Sequence, residues 1–225
     1  MVSKLRTGGF GGDYIPWTVS RINATLTKYD KEYFDGKTVL DVGAGWGGNG
    51  NEFSKFGSIV TVSDAREEHM RDAKERYPHL NCVVVDSEST EWDYTTDVFD
   101  VIVHWGLLYH LQNPEEHIKL LSNHCKELIL ETEVSDSDDV NLIEYRNEET
   151  DWDSGAWGMA YSGVGCLPSY AWVERVLSEN GFEWERLDNP SIANAEYHHY
   201  DWKRNNSGNW KSGQRAFWFC KNMNK

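Results

Sequence analysis

Long apolar runs and paired cysteines are both missing from this sequence of 225 residues. No stretch is long enough to span a bilayer, and residues 1–6 do not open a signal peptide. No C-x-x-C pair is present, and the cysteines lie far apart, at Cys82, Cys125, Cys166 and Cys220. We therefore expect free thiols, no bound metal, no membrane association and a cytoplasmic protein.

Positive charge is also scarce. The 22 Lys and Arg residues face 37 Asp and Glu residues, which gives a net charge of −15. Because neutralisation of phosphates dominates nucleic-acid affinity, this balance argues against a large polyanionic partner. The charge is uneven, since residues 131–153 carry a net −9 and residues 188–225 carry a net +3. A local basic patch therefore stays open, and no pattern predicts an oligomeric state.

The chain is long enough to bury a full core as one domain with insertions. We divide it into an N-terminal lid and helix (1–34), a core (35–133), an acidic aromatic insert or cap (134–167), and a C-terminal region (168–225). The last region is expected to complete the same domain as the core.

Apolar runs alternate with amphipathic segments through most of the chain. Helices are predicted over residues 15–33 and 66–77 and after Asn113, and buried strands over 39–42, 59–64, 82–86, 99–103 and 127–131. This alternation predicts an α/β fold with a doubly wound, mainly parallel sheet. Strands at 183–187 and 215–220 are predicted to complete a seven-stranded sheet as an antiparallel hairpin at its edge.

Three glycines, Gly43, Gly45 and Gly47, directly follow the first predicted strand. They allow a tight turn and close approach of the backbone to a ligand. Asp64 ends the second strand, where a carboxylate can accept hydrogen bonds from both hydroxyls of a ribose. Asp41 would repel a pyrophosphate, but it can brace the turn or meet a cationic ligand. Together these residues predict a nucleoside-binding βαβ unit.

The run hydrophobic-Asp-x-Gly-x-Gly-x-Gly at residues 40–47 resembles motif I of the class I S-adenosylmethionine-dependent methyltransferases. The resemblance covers roughly residues 35–135. It implies a Rossmann-like fold and methyl transfer from S-adenosylmethionine, with S-adenosylhomocysteine as product. The cofactor contacts that it implies are Asp41, Gly43, Ala44, Gly45, Trp46, Gly47, Asp64, Ala65, Asp86, Ser87, His104, Trp105, Trp17 and Arg21.

Residues after the fourth strand face the transferring methyl group in this family. A hydroxyl acceptor needs a general base, whereas an amine must only be neutral. Because imidazole titrates near working pH, His110 is the first choice of base and His104 the second. Each can instead be a hydrogen-bonded structural histidine. The predicted substrate contacts are Tyr14, Tyr109, Glu131, Trp157, Tyr161 and His198.

Several functions fit these patterns. Residues 104–116 also resemble the corresponding segment of tRNA wobble-uridine methyl- and carboxymethyltransferases. The acidic net charge favours methyl transfer to an oxygen or nitrogen of a small molecule, with tRNA as the alternative substrate. Residues 43–48 also satisfy the dinucleotide pattern G-x-G-x-x-G. An NAD-binding oxidoreductase and a non-catalytic binding module of the same fold are therefore further alternatives.

Overall fold

The computed structural model describes residues 15–89, 98–147, 160–187 and 215–225. Three predicted substrate contacts, Tyr14, Trp157 and His198, lie outside these ranges, as does the side chain of Trp17. Within the described ranges, no helix is both long and apolar enough to cross a membrane.

The described part of the chain contains nine strands and five α-helices. The strands are β1 (Thr38–Val42), β2 (Ile59–Asp64), β3 (Asn81–Val84), β4 (Phe99–Trp105), β5 (Cys125–Glu133), β6 (Ile143–Asn147), β7 (Val164–Pro168), β8 (Phe182–Arg186) and β9 (Arg215–Asn222). The helices are α1 (Ile15–Thr25), α2 (Gly48–Ser54), α3 (Glu67–Arg76), α4 (Pro114–His124) and α5 (Tyr170–Glu179).

Seven of these strands form one sheet, in the order β3-β2-β1-β4-β5-β9-β8. The five strands from β3 to β5 are parallel, and β9 runs antiparallel to both of its neighbours. The predicted fold class and the antiparallel pair at the sheet edge are therefore confirmed. The strand order reverses between β1 and β4, and ligands of open α/β sheets bind at the carboxyl ends of the strands beside such a point.

Apolar side chains cover both faces of the sheet. One face packs against α4 and α5 and includes Ile102 of β4. The opposite face packs against α1, α2 and α3 and includes Val101 and Val103 of the same strand. Because side chains alternate along a strand, His104 shares the face of Ile102, and Trp105 shares the face of Val103.

The first helix is shorter than predicted. It ends at Thr25 instead of continuing to Tyr33, and a separate 3-10 turn forms over Glu32–Phe34. The hydroxyl groups of Thr25 and Thr27 donate hydrogen bonds to the carbonyls of Arg21 and Ala24. Such local bonds compete with the helical pattern, which apolar spacing alone does not reveal.

The third strand is not buried, so this part of the prediction is wrong. It pairs only with β2 and forms one edge of the sheet. The side chain of Val84 in this strand is 53% exposed. An apolar run of this length is typical of a buried strand. Whether the strand is buried also depends on its position in the sheet, which contacts with distant residues determine.

The acidic insert contributes regular structure of its own. Strands β6 and β7 pair antiparallel to form a second, two-stranded sheet. The helix α5 follows directly, and the hydroxyl of Ser169 caps it by accepting a hydrogen bond from the Trp172 amide. Gly181, with a φ of +81°, comes just after the end of this helix.

Candidate active site

The glycine turn lies at the carboxyl end of β1. Gly43 and Gly45 have φ angles of +66° and +53°, a region that side chains disfavour. A Cβ atom on Gly43 would press on the side chain of Leu107, which follows β4. At Gly45, by contrast, a Cβ would meet nothing within 4 Å. The turn therefore touches the β4 loop on one side and leaves room for a ligand at Gly45.

Asp64 is fixed beside this turn at the end of β2. Its Oδ2 accepts a hydrogen bond of 3.0 Å from the Gly45 amide, and its Oδ1 accepts from the Arg66 amide at 2.9 Å. The imidazole Nδ1 of His69 lies 3.1 Å from the same Oδ1. Burial alone would raise the pKa of Asp64, but the contact with His69 and the two amide bonds lower it. The group is therefore an ionised acceptor at neutral pH.

Asp41 braces the helix that follows the turn. Its Oδ2 accepts a hydrogen bond of 2.9 Å from the Gly50 amide, in the first turn of α2. Burial raises the pKa of Asp41 to about 7, although the Gly50 bond and the nearby Arg21 act in the opposite direction. The carboxyl group is only 1% exposed, so its main observed contact is with the protein itself.

A buried ionic cluster lies across the crevice, at the end of β5. Glu131 receives Arg21 Nη2 on Oε2 and Arg215 Nη1 on Oε1, each at 2.6 Å. A second nitrogen of Arg215 donates to the hydroxyl of Tyr109 at 2.8 Å. Burial would raise the pKa of Glu131, but the charges of Arg21 and Arg215 hold it below its usual value. A Cβ on Gly106 would collide with Arg21 Nη2, so the cluster lies against the β4 loop.

His104 belongs to a chain of hydrogen bonds that ends at the loop after β3. Its Nε2 lies 3.0 Å from Nε2 of His117, and His117 Nδ1 lies 2.9 Å from the carbonyl oxygen of Ser87. A carbonyl only accepts, so His117 carries its proton on Nδ1, and its Nε2 accepts from His104 when both rings are neutral. Burial lowers the pKa of His104 to about 4, so the ring is neutral at working pH.

The remaining predicted residues are distributed around the same edge. His110 is half-buried and packs its ring against Tyr109, with 4.0 Å between the ring centres. Asp86 is exposed and accepts a hydrogen bond from the Glu88 amide. The guanidinium of Arg66 lies 5.7 Å from the ring of Tyr161. The residues just before β7 therefore lie near the end of β2.

The sheet register brings most of these side chains together. Asp41 pairs with Val62 and Asp64 pairs with Val84, so both carboxylates lie at the same strand ends. Trp105 pairs with Glu131 on the other side of the crevice. Trp105 contributes mainly by packing, because its ring lies against Phe53 and Phe217. The other predicted cofactor contacts lie in the glycine turn and just after β2, and they are Ala44, Trp46, Gly47 and Ala65.

Comparison with known proteins identifies the family to which the chain belongs. Residues 19–187 match the family model described as a methyltransferase domain. The chain belongs to the methyltransferase family. Its fold is that of the class I enzymes, whose cofactor is S-adenosylmethionine. No match is found among curated protein sequences.

Several solved structures share the fold of this methyltransferase. The N-terminal domain of EvdMO1, crystallised in the presence of S-adenosylhomocysteine and D-fucose, has a TM-score of 0.66 at 18% identity, covering 90% of this chain and 82% of that one. A methyltransferase from Mesorhizobium loti has 0.64 at 13%, covering 90% and 97%. Magnesium protoporphyrin IX methyltransferase from Synechocystis PCC 6803 has 0.58 at 14%, covering 92% and 83%.

Two residues that the sequence did not single out contact predicted site residues. His69 contacts the carboxylate of Asp64, and Arg215 contacts both Glu131 and Tyr109. His69 follows Asp64 by five residues on α3, so the start of that helix beside an acidic strand end was a usable signal. Arg215 lies 84 positions from Glu131 and reaches it only because β9 pairs with β5.

The residues present fit S-adenosylmethionine. Open space at Gly45 adjoins an ionised carboxylate, which suits a hydroxyl-bearing nucleoside. The ionised Asp64 also places negative charge near the turn, and this would oppose a pyrophosphate but not a sulfonium.

Proposed function

We propose that this methyltransferase transfers the methyl group to an oxygen or nitrogen of a small molecule. The observation that carries this proposal is the enclosed polar cluster at the end of β5, in which Glu131 is 0% and Arg215 7% exposed. A few convergent polar groups in an enclosed site are typical of small-molecule binding. The net charge of −15 also opposes binding of a polynucleotide. The likeness to a domain crystallised with D-fucose is compatible with this proposal.

The cofactor roles follow from the positions of the side chains. We assign the ribose to Asp64, the adenine to Asp86 and Ser87, and the methionyl part to the glycine turn. We assign the methionyl carboxylate to Arg21, which lies at the same edge of the sheet and donates to Glu131, because a guanidinium is a strong partner for a carboxylate. The other predicted cofactor contacts, including Trp17 and Trp105, remain proposals at the edges of this crevice.

The proposed chemistry needs little from the protein beyond position and proton removal. S-adenosylmethionine supplies a methyl group on a sulfonium, which departs as a neutral thioether. We assign proton removal from the acceptor to His110, because His104 is fully buried and its pKa of about 4 makes it a weak base. Tyr109, Glu131 and Arg215 would orient the acceptor, and exclusion of water would favour its attack on the methyl carbon.

The test is a methyl-transfer assay with labelled S-adenosylmethionine, small hydroxyl and amine compounds, and bulk tRNA. The expected result is label in a small compound together with formation of S-adenosylhomocysteine. Label confined to tRNA would contradict the small-molecule proposal. If no compound is labelled and S-adenosylhomocysteine does not bind, the cofactor assignment itself is wrong.

Replacing His110 tests the proposed base. His110→Ala should lower turnover by about 100-fold while S-adenosylhomocysteine affinity is unchanged, because general base catalysis contributes at least this much. His79→Ala, at an exposed position after the end of α3, is the control and should turn over normally. Normal turnover of His110→Ala would show that this histidine is structural.

A further inference from the structure

The carboxylate of Asp64 has two oxygens in different situations. Oδ1 accepts two hydrogen bonds, from the Arg66 amide at 2.9 Å and from His69 Nδ1 at 3.1 Å. Oδ2 accepts one, from the Gly45 amide at 3.0 Å. Because an ionised carboxylate cannot donate, the His69 nitrogen facing it must carry a proton.

Each carboxylate oxygen has two lone pairs, so these bonds limit what a ligand can use. Both positions on Oδ1 are filled by the protein, and one position on Oδ2 remains. Oδ2 is the oxygen that contacts the glycine turn, and a Cβ on Gly45, the residue that donates to it, would find open space. A ribose offers two neighbouring hydroxyls, but this carboxylate is set to accept strongly from one of them.

His69 is held firmly in this position. It is 2% exposed, and its ring lies edge-on to the ring of Trp46 at 6.2 Å. The Arg76 guanidinium lies over the ring of Trp46, 4.7 Å from the ring centre. The imidazole therefore projects from α3 and packs against Trp46 of the glycine turn.

We propose that His69 is a positioning residue that fills Oδ1 of Asp64 and thereby directs Oδ2 toward a single ribose hydroxyl of the cofactor. The proposal rests on the assignment of Asp64 to the ribose. It adds that recognition of the two ribose hydroxyls is unequal and that His69 causes the inequality.

The test measures dissociation constants by calorimetry for S-adenosylhomocysteine and for its 2′-deoxy and 3′-deoxy analogues. In the unaltered protein, loss of one hydroxyl should weaken binding by about ten- to hundredfold, as expected for a hydrogen bond to a charged group. Loss of the other hydroxyl should have a much smaller effect. Equal effects of the two deletions would overturn the proposal.

Two variants of similar shape isolate the hydrogen bond. His69→Asn places an amide N–H at the same number of bonds from the backbone as Nδ1 and should keep the inequality. His69→Leu has no donor, so Oδ1 becomes available, and the two analogues should approach equal affinity. An unchanged inequality in His69→Leu, or its loss in both variants, would show that His69 acts only through packing.

Met70→Ala controls for simple loss of stability, because Met70 is the adjacent buried residue of α3 and its side chain has no N–H or O–H to donate to Asp64. It should lower the melting temperature and leave the inequality unchanged. If His69→Leu does not fold, equal effects of the two deletions in the unaltered protein, or loss of the inequality in His69→Asn, would still overturn the proposal. Failure of S-adenosylhomocysteine itself to bind would instead refute the proposed function.

Discussion

Removal of the Glu131 carboxylate should carry a large electrostatic cost, since two buried guanidiniums share it. Replacing it with Gln leaves Arg21 and Arg215 without their common counter-charge. Loss of one partner from a buried ion pair usually costs about 3–5 kcal/mol. We expect Glu131→Gln to lower the free energy of unfolding by about 3 kcal/mol in urea denaturation, because Gln retains one acceptor.

The neighbouring Glu133 supplies a matched control for this prediction. Its ion pair with Arg146 lies at the surface, where the Arg146 side chain is 41% exposed. Exposed pairs contribute about 0–1 kcal/mol. Glu133→Gln should therefore have a small effect, and an equal effect of both substitutions would show that the buried cluster does not stabilise the fold.

The raised pKa of Asp41 predicts that its contribution to folding stability falls as the pH rises, which is opposite to most carboxylates. Its pKa rises from 3.8 to about 7 on folding, so the folded state binds more protons between these values. Stability associated with Asp41 is therefore present below about pH 4 and is lost as the pH rises through 7. Asp41→Asn should stabilise the protein at pH 8, on the order of 2 kcal/mol, and have little effect near pH 4.

Asp100 provides the opposite case within the same sheet. Its hydrogen bond with Lys126 is the main cause that lowers its pKa to about 2. The stability it contributes is present above pH 4 and is lost as the pH falls through 2. Asp100→Asn should therefore destabilise at pH 8, whereas Asp41→Asn stabilises. Thermal melts of both variants over this pH range check the two signs, and shifts of the same sign would contradict the assignment.

At the residue scale, the sequence predicts the cofactor side of the site better than the acceptor side. The glycine turn and Asp64 are close in sequence, because both belong to one βαβ unit. Arg215 could not be predicted in the same way, since its contact with Glu131 depends on the pairing of β9 with β5. Local spacing reveals contacts within a unit but not contacts made by strand pairing.

At the scale of elements, the close packing of α2 on the sheet depends on Gly50. A Cβ on this residue would collide with Val62 Cγ1 and lie 3.2 Å from Val60 Cγ1. Overpacking of this kind costs about 1–3 kcal/mol, which outweighs the gain of under 1 kcal/mol from Ala in a helix. Gly50→Ala should therefore lower the free energy of unfolding in denaturant titrations.

Gly48 in the same helix is the control, because a Cβ there would meet only Thr18 Oγ1 at 4.0 Å. Gly48→Ala should be neutral or slightly stabilising. Adding Val62→Ala to Gly50→Ala should cost less than the sum of the two single changes, because the new methyl fills the space that Val62 vacates. Simple additivity would show that the collision is not the cause.

The strands of the main sheet could be predicted from the sequence better than their burial or the ends of the helices. The sequence pattern predicted every strand of the seven-stranded sheet, mostly from short apolar runs bounded by turn residues, although β8 reads Phe-Glu-Trp-Glu-Arg and alternates instead. The burial of β3 and the end of α1 were predicted wrongly. The first depends on sheet order and the second on hydroxyl bonds by Thr25 and Thr27, and neither is visible in apolar spacing.

At the scale of the whole molecule, ligand binding should distinguish S-adenosylhomocysteine from NAD. The α2 amide of Gly50 that could face a pyrophosphate is bonded to Asp41, and the ionised Asp64 places a negative charge nearby. At 100 times its dissociation constant, S-adenosylhomocysteine should stabilise the fold by about 2.7 kcal/mol. For a protein of this size that corresponds to a rise in melting temperature of about 5–10 °C, whereas NAD should cause none.

Asp64→Ala should remove the rise while the protein still folds. A larger rise with NAD would mean that the glycine turn binds a dinucleotide despite the two carboxylates beside it.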